Sequence, residues 1–295
     1  MFEIFGIPSQ ALFGQLLIGL INGSFYALLS LGLAVIFGML NIINFSHGAQ
    51  YMMGAFAAYL ILQYSGLGYW PALIIAPILV GATGIIVERL FLQWLYKLDH
   101  LYGLLLTFGL ALIFEGVARN YFGSAGLPYT VPESLQGGRN LGFMFLPNYR
   151  AWVIVASIIV CFGTWYLIER TKLGSYLRAA TENAPLVQAF GINVPRMVTL
   201  TYGFGVGLAA LAGVMAAPIY QVSQLMGANI IIVVFAVVVI GGMGSILGAI
   251  LGGFALGIIE GLTKVFWPEA SNTVIFVIMA IVLLVRPAGL FGRRT

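Results

Sequence analysis

The densest polar cluster within an apolar context is Asn41, Asn44, Ser46, His47 and Gln50. Burying such groups costs roughly 1–3 kcal/mol each unless they are bonded, so they must face a partner or water. They could wall a solute pathway, or they could form a turn capped by Asn and Ser. Metal ligation is disfavoured, because His47 and His100 stand far apart and neither has a cysteine or carboxylate at ligand spacing. The acidic residues suggest a different chemistry. Glu115 precedes Arg119 by four positions and Glu260 precedes Lys264 by four, which puts each pair on one helix face, able to neutralise itself. A proton relay needs a ladder of unpaired carboxylates, and no such ladder is written here.

Other chemistries leave no trace. There is no G-x-x-x-x-G-K-[ST] to cradle nucleotide phosphates. No serine sits in a nucleophile elbow and no pair of intramembrane carboxylates suggests a proteolytic dyad. The expectation is a chain with no catalytic, cofactor or metal site, hence not an enzyme.

The elements that would position these residues follow from composition. Of 295 residues, 61% are hydrophobic and 7% charged, against roughly 25% charged in soluble domains. This is an integral membrane protein. Alternating ten-residue strands are absent, so the fold class is all-α, a polytopic transmembrane helical bundle. Nine apolar segments are read, at about 11–38, 47–64, 71–92, 101–121, 150–168, 196–219, 228–241, 245–264 and 272–286. The seventh is short enough to be re-entrant, giving eight or nine membrane segments in one domain, 1–295. The N-terminal stretch lacks the cationic region of a cleavable signal peptide. The single cysteine, Cys161, excludes an internal disulfide.

Thirteen basic residues make no patch for nucleic acid, and topology explains them better. With loop 169–196 in the cytoplasm, Arg89, Lys97, Arg170, Lys172, Arg178, Arg196, Arg286, Arg293 and Arg294 lie inside. Arg119, Arg139, Arg150 and Lys264 then lie outside. That bias favours an outer N-terminus and a cytoplasmic C-terminus.

Two segments read as interrupted helices. One is Asn41–Gly48; the other is Gly241-Gly242-Met243-Gly244-Ser245. Freed backbone at membrane depth survives only within protein or beside water, so such breaks point to a substrate pathway. Ordinary tight turns are the alternative. Gly241, Gly242 and Gly244 join the polar cluster as candidate pathway residues. Glycines at 244, 248, 252, 253, 257 and 261 mark a tight helix neighbour.

Glu169–Arg196 is the one long hydrophilic helical pattern. Leu177, Ala180, Ala184, Val187 and Phe190 supply apolar positions, and Thr181–Pro185 divides it into two short helices. Asn183 suits a cap, Pro185 the first turn and Gly191 the terminus. An exposed amphipathic element of this kind invites a protein or membrane partner.

The segments GLINGSFYALLSLGLAVIFGMLNIINFSHGAQYMMGAFAAY, LGSYLRAATENAPLVQAFGINV, VVVIGGMGSILGAILGG and VLLVRPAGLFG together resemble branched-chain amino acid ABC permeases of the LivH type. The resemblance implies an ABC importer subunit in a bacterial inner membrane. Its partners would be a second permease (a LivM-type sister or an identical chain), two cytoplasmic ATPases and a periplasmic solute-binding protein. Residues 173–194 resemble the family's coupling region. By motif position Arg178, Ala179, Ala180, Glu182, Asn183 and Gly191 would meet the ATPase, although Arg178 stands where the strict motif has Glu. Branched-chain amino acids lead as cargo, with urea, amides or aromatic acids as alternatives. An ion-coupled secondary transporter is the rival class.

Overall fold

The computed structural model describes residues 3–4, 7–40, 43–96, 98–142 and 144–292. Nine helices coincide with the nine apolar segments: α1 Ser9–Leu40, α2 Ser46–Ser65, α3 Tyr69–Leu90, α4 His100–Phe122, α5 Asn148–Arg170, α7 Val194–Tyr220, α8 Met226–Gly241, α9 Ile246–Phe266 and α10 Val274–Val285. The polar element is helix α6, Lys172–Ala189.

Six helices among the described residues (α1, α3, α4, α5, α7 and α9) are long and apolar enough to cross a membrane. That is fewer than the eight or nine segments expected. Helix α2 has the length, at 20 residues, but is less apolar. Helices α8 and α10 have 16 and 12 residues. At 1.5 Å per residue they rise roughly 24 and 18 Å, short of a hydrocarbon core of about 30 Å.

Close helix contact rests on small residues, since lipid supplies no hydrophobic drive between helices. Helix α9 lays Gly253, Gly257 and Gly261 along α1, against Ala27, Gly23, Gly19 and Gln15. A Cβ added at Gly23 would lie 3.1 Å from the Phe254 Cα. Helix α7 runs through the interior and packs on α1, α2 and α3. Its Gly205, Gly203 and Ala210 meet Gly32, Gly81 and Gly54 of those neighbours. On α3, α4 and α5 the outward side chains are apolar, among them Ile74, Ile78, Leu105 and Phe162, as a lipid-facing surface requires.

The two ends of the bundle differ. One carries α6, the corner between α5 and α6, and the turn between α8 and α9. There Leu290 N donates to Ile240 O at 2.8 Å and Phe291 N to Gly241 O at 3.0 Å, stitching the C-terminal segment to the end of α8. The other end carries residues 123–142 and 144–147, with a small hairpin of β3 Gly138–Asn140 and β4 Phe145–Pro147. Leu127 pairs with Val222 across to the connection between α7 and α8. An aromatic group of Tyr69, Trp70, Tyr149 and Trp152 packs beside it. A further short hairpin, β1 Glu3–Ile4 with β2 Ile7–Pro8, precedes α1.

Candidate functional site

The polar cluster is drawn inward. Asn44, Ser46, His47 and Gln50 are all buried, and their partners come largely from one another. Ser46 Oγ donates to Asn44 Oδ1 at 2.6 Å, and Gln50 Nε2 donates to Ser46 Oγ at 3.2 Å. Asn44 Nδ2 reaches the Tyr202 hydroxyl on α7 at 3.1 Å. His47 Nε2 lies 3.0 Å from Leu29 O of α1. The α1–α2 connection is pinned from α4 as well: Phe45 N donates to Thr107 Oγ1 at 3.1 Å. The expected Asn and Ser cap is not what forms, because no side chain caps α2; the amide of Asn44 is spent on Tyr202. Asn41 lies outside the described residues.

The second break is made of backbone. Gly242 and Gly244 take φ of +101° and +80°, a region that glycine enters without the penalty a side chain brings. Ser245 Oγ then accepts from Gly248 N at 3.1 Å and caps α9. Gly241 packs on Gly248, and Gly244 on Gly38 of α1. Gly244 also lines a cavity of about 410 Å³, with Gly38, Ile168, Arg178, Thr181 and Phe291 among its walls. The structure therefore brings Gly244 and the first turns of α6 to one cavity, and it places Asn44, Ser46, His47 and Gln50 elsewhere.

Helix α6 bends where its sequence said it would. Asn183 leaves helical geometry, at φ −151° and ψ 83°, and its Oδ1 accepts from Leu186 N at 3.0 Å. Gly191 takes φ +83°, and its N donates to Gln188 O at 2.9 Å. Leu177, Ala180 and Val187 face inward onto Val194 and Met197. Leu173, Tyr176, Leu186 and Phe190 stay exposed, Phe190 at 78%. Of the motif residues, Ala179, Glu182, Asn183 and Gly191 are exposed and Arg178 half-buried, but Ala180 is buried. Arg178 Nη1 turns back to α5, 3.2 Å from Glu169 Oε2 and 3.3 Å from Ile168 O.

A family model for the "branched-chain amino acid transport system / permease component" matches residues 15–283. The chain belongs to this permease family. BraD of Pseudomonas aeruginosa, a high-affinity branched-chain amino acid transport system permease protein, is 31% identical over 292 residues, with 95% of each chain covered. LivH of Escherichia coli K12 is 28% identical over 298 residues, again covering 95% of each. LivM of the same organism is 26% identical over 291 residues, covering 90% of this chain and 67% of its own. No solved structure matches. As a member, the chain is a permease subunit of an ABC importer and a multi-pass membrane protein.

One acidic centre of the permease escaped the reading of its sequence, and a second was read only in part. Glu88, near the end of α3, is buried; it accepts from the Tyr96 hydroxyl at 2.6 Å and from Thr199 Oγ1 at 2.7 Å. Nothing local marked it, because its partners lie eight and 111 residues away. Glu260 does pair with Lys264, at 2.5 Å, as the four-residue spacing suggested. It also accepts from the Tyr26 hydroxyl at 2.7 Å and faces Asn22 Nδ2 at 3.5 Å. The Glu115–Arg119 pair does not form: among the described residues the ion pairs are Arg178–Glu169 and Lys264–Glu260. Arg119 is exposed on the last turn of α4, where holding two side chains together gains little.

Proposed function

We propose that this permease imports branched-chain or other hydrophobic amino acids, driven by ATP hydrolysed on two partner subunits at the α6 end. On this reading α6, within loop 169–196, is the cytoplasmic coupling element of a single permease domain. The C-terminus shares its side and the N-terminus lies outside, in a bacterial inner membrane. The remaining partners are a second permease, LivM-like or identical, and a periplasmic solute-binding protein. The chain itself performs no chemistry.

The observation that carries this reading is the two-faced build of α6. Its inner face is packed onto α7, while Tyr176, Leu186 and Phe190 stand uncovered beside the exposed Ala179, Glu182, Asn183 and Gly191. Exposed apolar side chains on a structured polar helix mark a docking face. Movement received there has a short route inward, since Arg178 and Thr181 share a cavity with Gly38, Met243 and Gly244. Beyond it a small apolar gap lies between Leu33 and Phe37 of α1 and Phe235 and Val238 of α8. We read the groove between α1 and α8 as the passage, with Gly241, Gly242 and Gly244 at its inner mouth. The bonded cluster of Asn44, Ser46, His47 and Gln50 is its stiff backing rather than its lining.

Reconstitution of the permease with its partners in proteoliposomes tests this. Leucine uptake should require ATP and loaded binding protein and should survive collapse of ion gradients. Uptake that follows an ion gradient without ATP overturns the proposal. Uptake of urea or amides in preference to leucine revises the cargo alone.

A further inference from the structure

A second sizeable cavity, of about 350 Å³, lies towards the other end of the groove between α1 and α8, and no residue in it was singled out by its sequence. Its polar wall is Asn22, Tyr26, Tyr51, Tyr220 and Asn229; its apolar wall includes Phe25, Met226, Ile230 and Val233. Part of the polar wall is fixed in place. Tyr220 donates to Asn22 Oδ1 at 2.8 Å, while Tyr26 and Asn22 both turn to Glu260, which Lys264 neutralises from behind. The rest is unspent. The Tyr51 hydroxyl and the Asn229 amide line the cavity without a hydrogen-bond partner among the described residues. Tyr51 is 2% exposed, so its hydroxyl has been brought to this wall through the packed interior. Asn229 is exposed, and both groups are placed to bond a solute that enters the cavity.

We propose that this cavity is the permease's own subsite for a small zwitterionic solute with an aliphatic body, an amino acid of the leucine type. It rests on the import reading above and adds the place and the chemistry of recognition. The wall holds no full charge, so neither an anion nor a cation alone is favoured. The Tyr51 hydroxyl and the Asn229 N–H groups donate to a carboxylate, and the Asn229 and Tyr220 oxygens accept from an ammonium. Phe25, Met226, Ile230 and Val233 take the aliphatic part. Glu260 is a positioning residue that holds Tyr26 and Asn22 from outside the cavity. The volume sits at the small end of ligand pockets, which run roughly 300–1,000 Å³.

The test uses the assembled importer in proteoliposomes with L-leucine as the probe. Ser223, which also borders the cavity, is replaced in Ser223→Cys; Cys161 is fully buried and contributes no accessible thiol. Millimolar leucine should slow modification of the introduced thiol by a small methanethiosulfonate about five-fold or more, and urea should not. In Ser223→Cys carrying Tyr51→Phe, the leucine concentration giving half protection should rise about three- to ten-fold, the loss expected for one hydrogen bond. Leucine uptake without protection of the thiol overturns the subsite and leaves the import reading standing. Absence of leucine uptake by the unaltered importer overturns the reading beneath it. Equal protection by urea overturns the zwitterion assignment.

Discussion

The two helix interruptions look alike in sequence and are built in opposite ways. Between α1 and α2 the chain turns on side chains: Asn44, Ser46 and Gln50 bond one another and Tyr202, and Thr107 holds Phe45 from α4. Between α8 and α9 it turns on glycine backbone, with Gly242 and Gly244 at positive φ and neighbouring backbone in contact. The polar side chains of the first break are buried inside the subunit, with Ile43 reaching the small gap between α1 and α8; the second break borders the larger cavity, beside α6. The contrast teaches that polar residues at a broken helix need not line a passage. Where amides and hydroxyls can satisfy one another they close on themselves, and it is the break turned on glycine that borders the larger cavity.

Substitutions can break this contrast in order of size. Gly242→Val combines a strained φ with a Cβ 2.5 Å from Gly292 N and 2.8 Å from its Cα. Strain and overpacking together should cost about 3–5 kcal/mol, so size-exclusion chromatography in detergent should show loss of the folded permease. A monodisperse Gly242→Val protein with unchanged thermal stability would show that the glycine turn is not sterically closed. Tyr202→Phe should cost less, about 1–3 kcal/mol, by leaving buried amides of Asn44 and Gln50 without the hydroxyl. A lowered Tm is expected, and an unshifted Tm would mean the side-chain lock is slack.

Gly191→Val sharpens the comparison from the α6 side. Open space surrounds Gly191, so only the left-handed φ is strained, at about 1–2 kcal/mol. The complex should assemble and hydrolyse ATP while leucine uptake falls; unaltered uptake per ATP would sink the coupling role of this turn. Arg178→Ala should be the mildest. Its half-exposed pair with Glu169 contributes under about 1 kcal/mol. A Tm shift of more than a few degrees would show that Arg178 supports the wall of the larger cavity more firmly than its geometry implies.

How far the sequence could be read depended on distance along the chain. The nine apolar helices lay open, because each is a continuous apolar run. The bend of α6 was equally legible, since Asn183, Pro185 and Gly191 act within one turn of themselves. The glycine spacing of α9 announced a close neighbour but could not say that the neighbour is α1. What stayed hidden were partners far along the chain. Tyr202 lies 158 residues from Asn44, and Glu260 lies 234 from Tyr26. The pairing of Glu115 with Arg119 failed for the converse reason: spacing permits a contact, and exposure decides whether it is worth forming.

The stitch from Leu290 and Phe291 to the last carbonyls of α8 has a practical bearing. The α6 end of the groove between α1 and α8 is completed by residues some fifty positions downstream of the helix they finish. Shortening the protein upstream of Leu290, or burdening that stretch with a bulky fusion partner, would unpick two acceptors at that end. Purification handles are therefore better carried at the opposite terminus, where β1 and β2 stand clear of it.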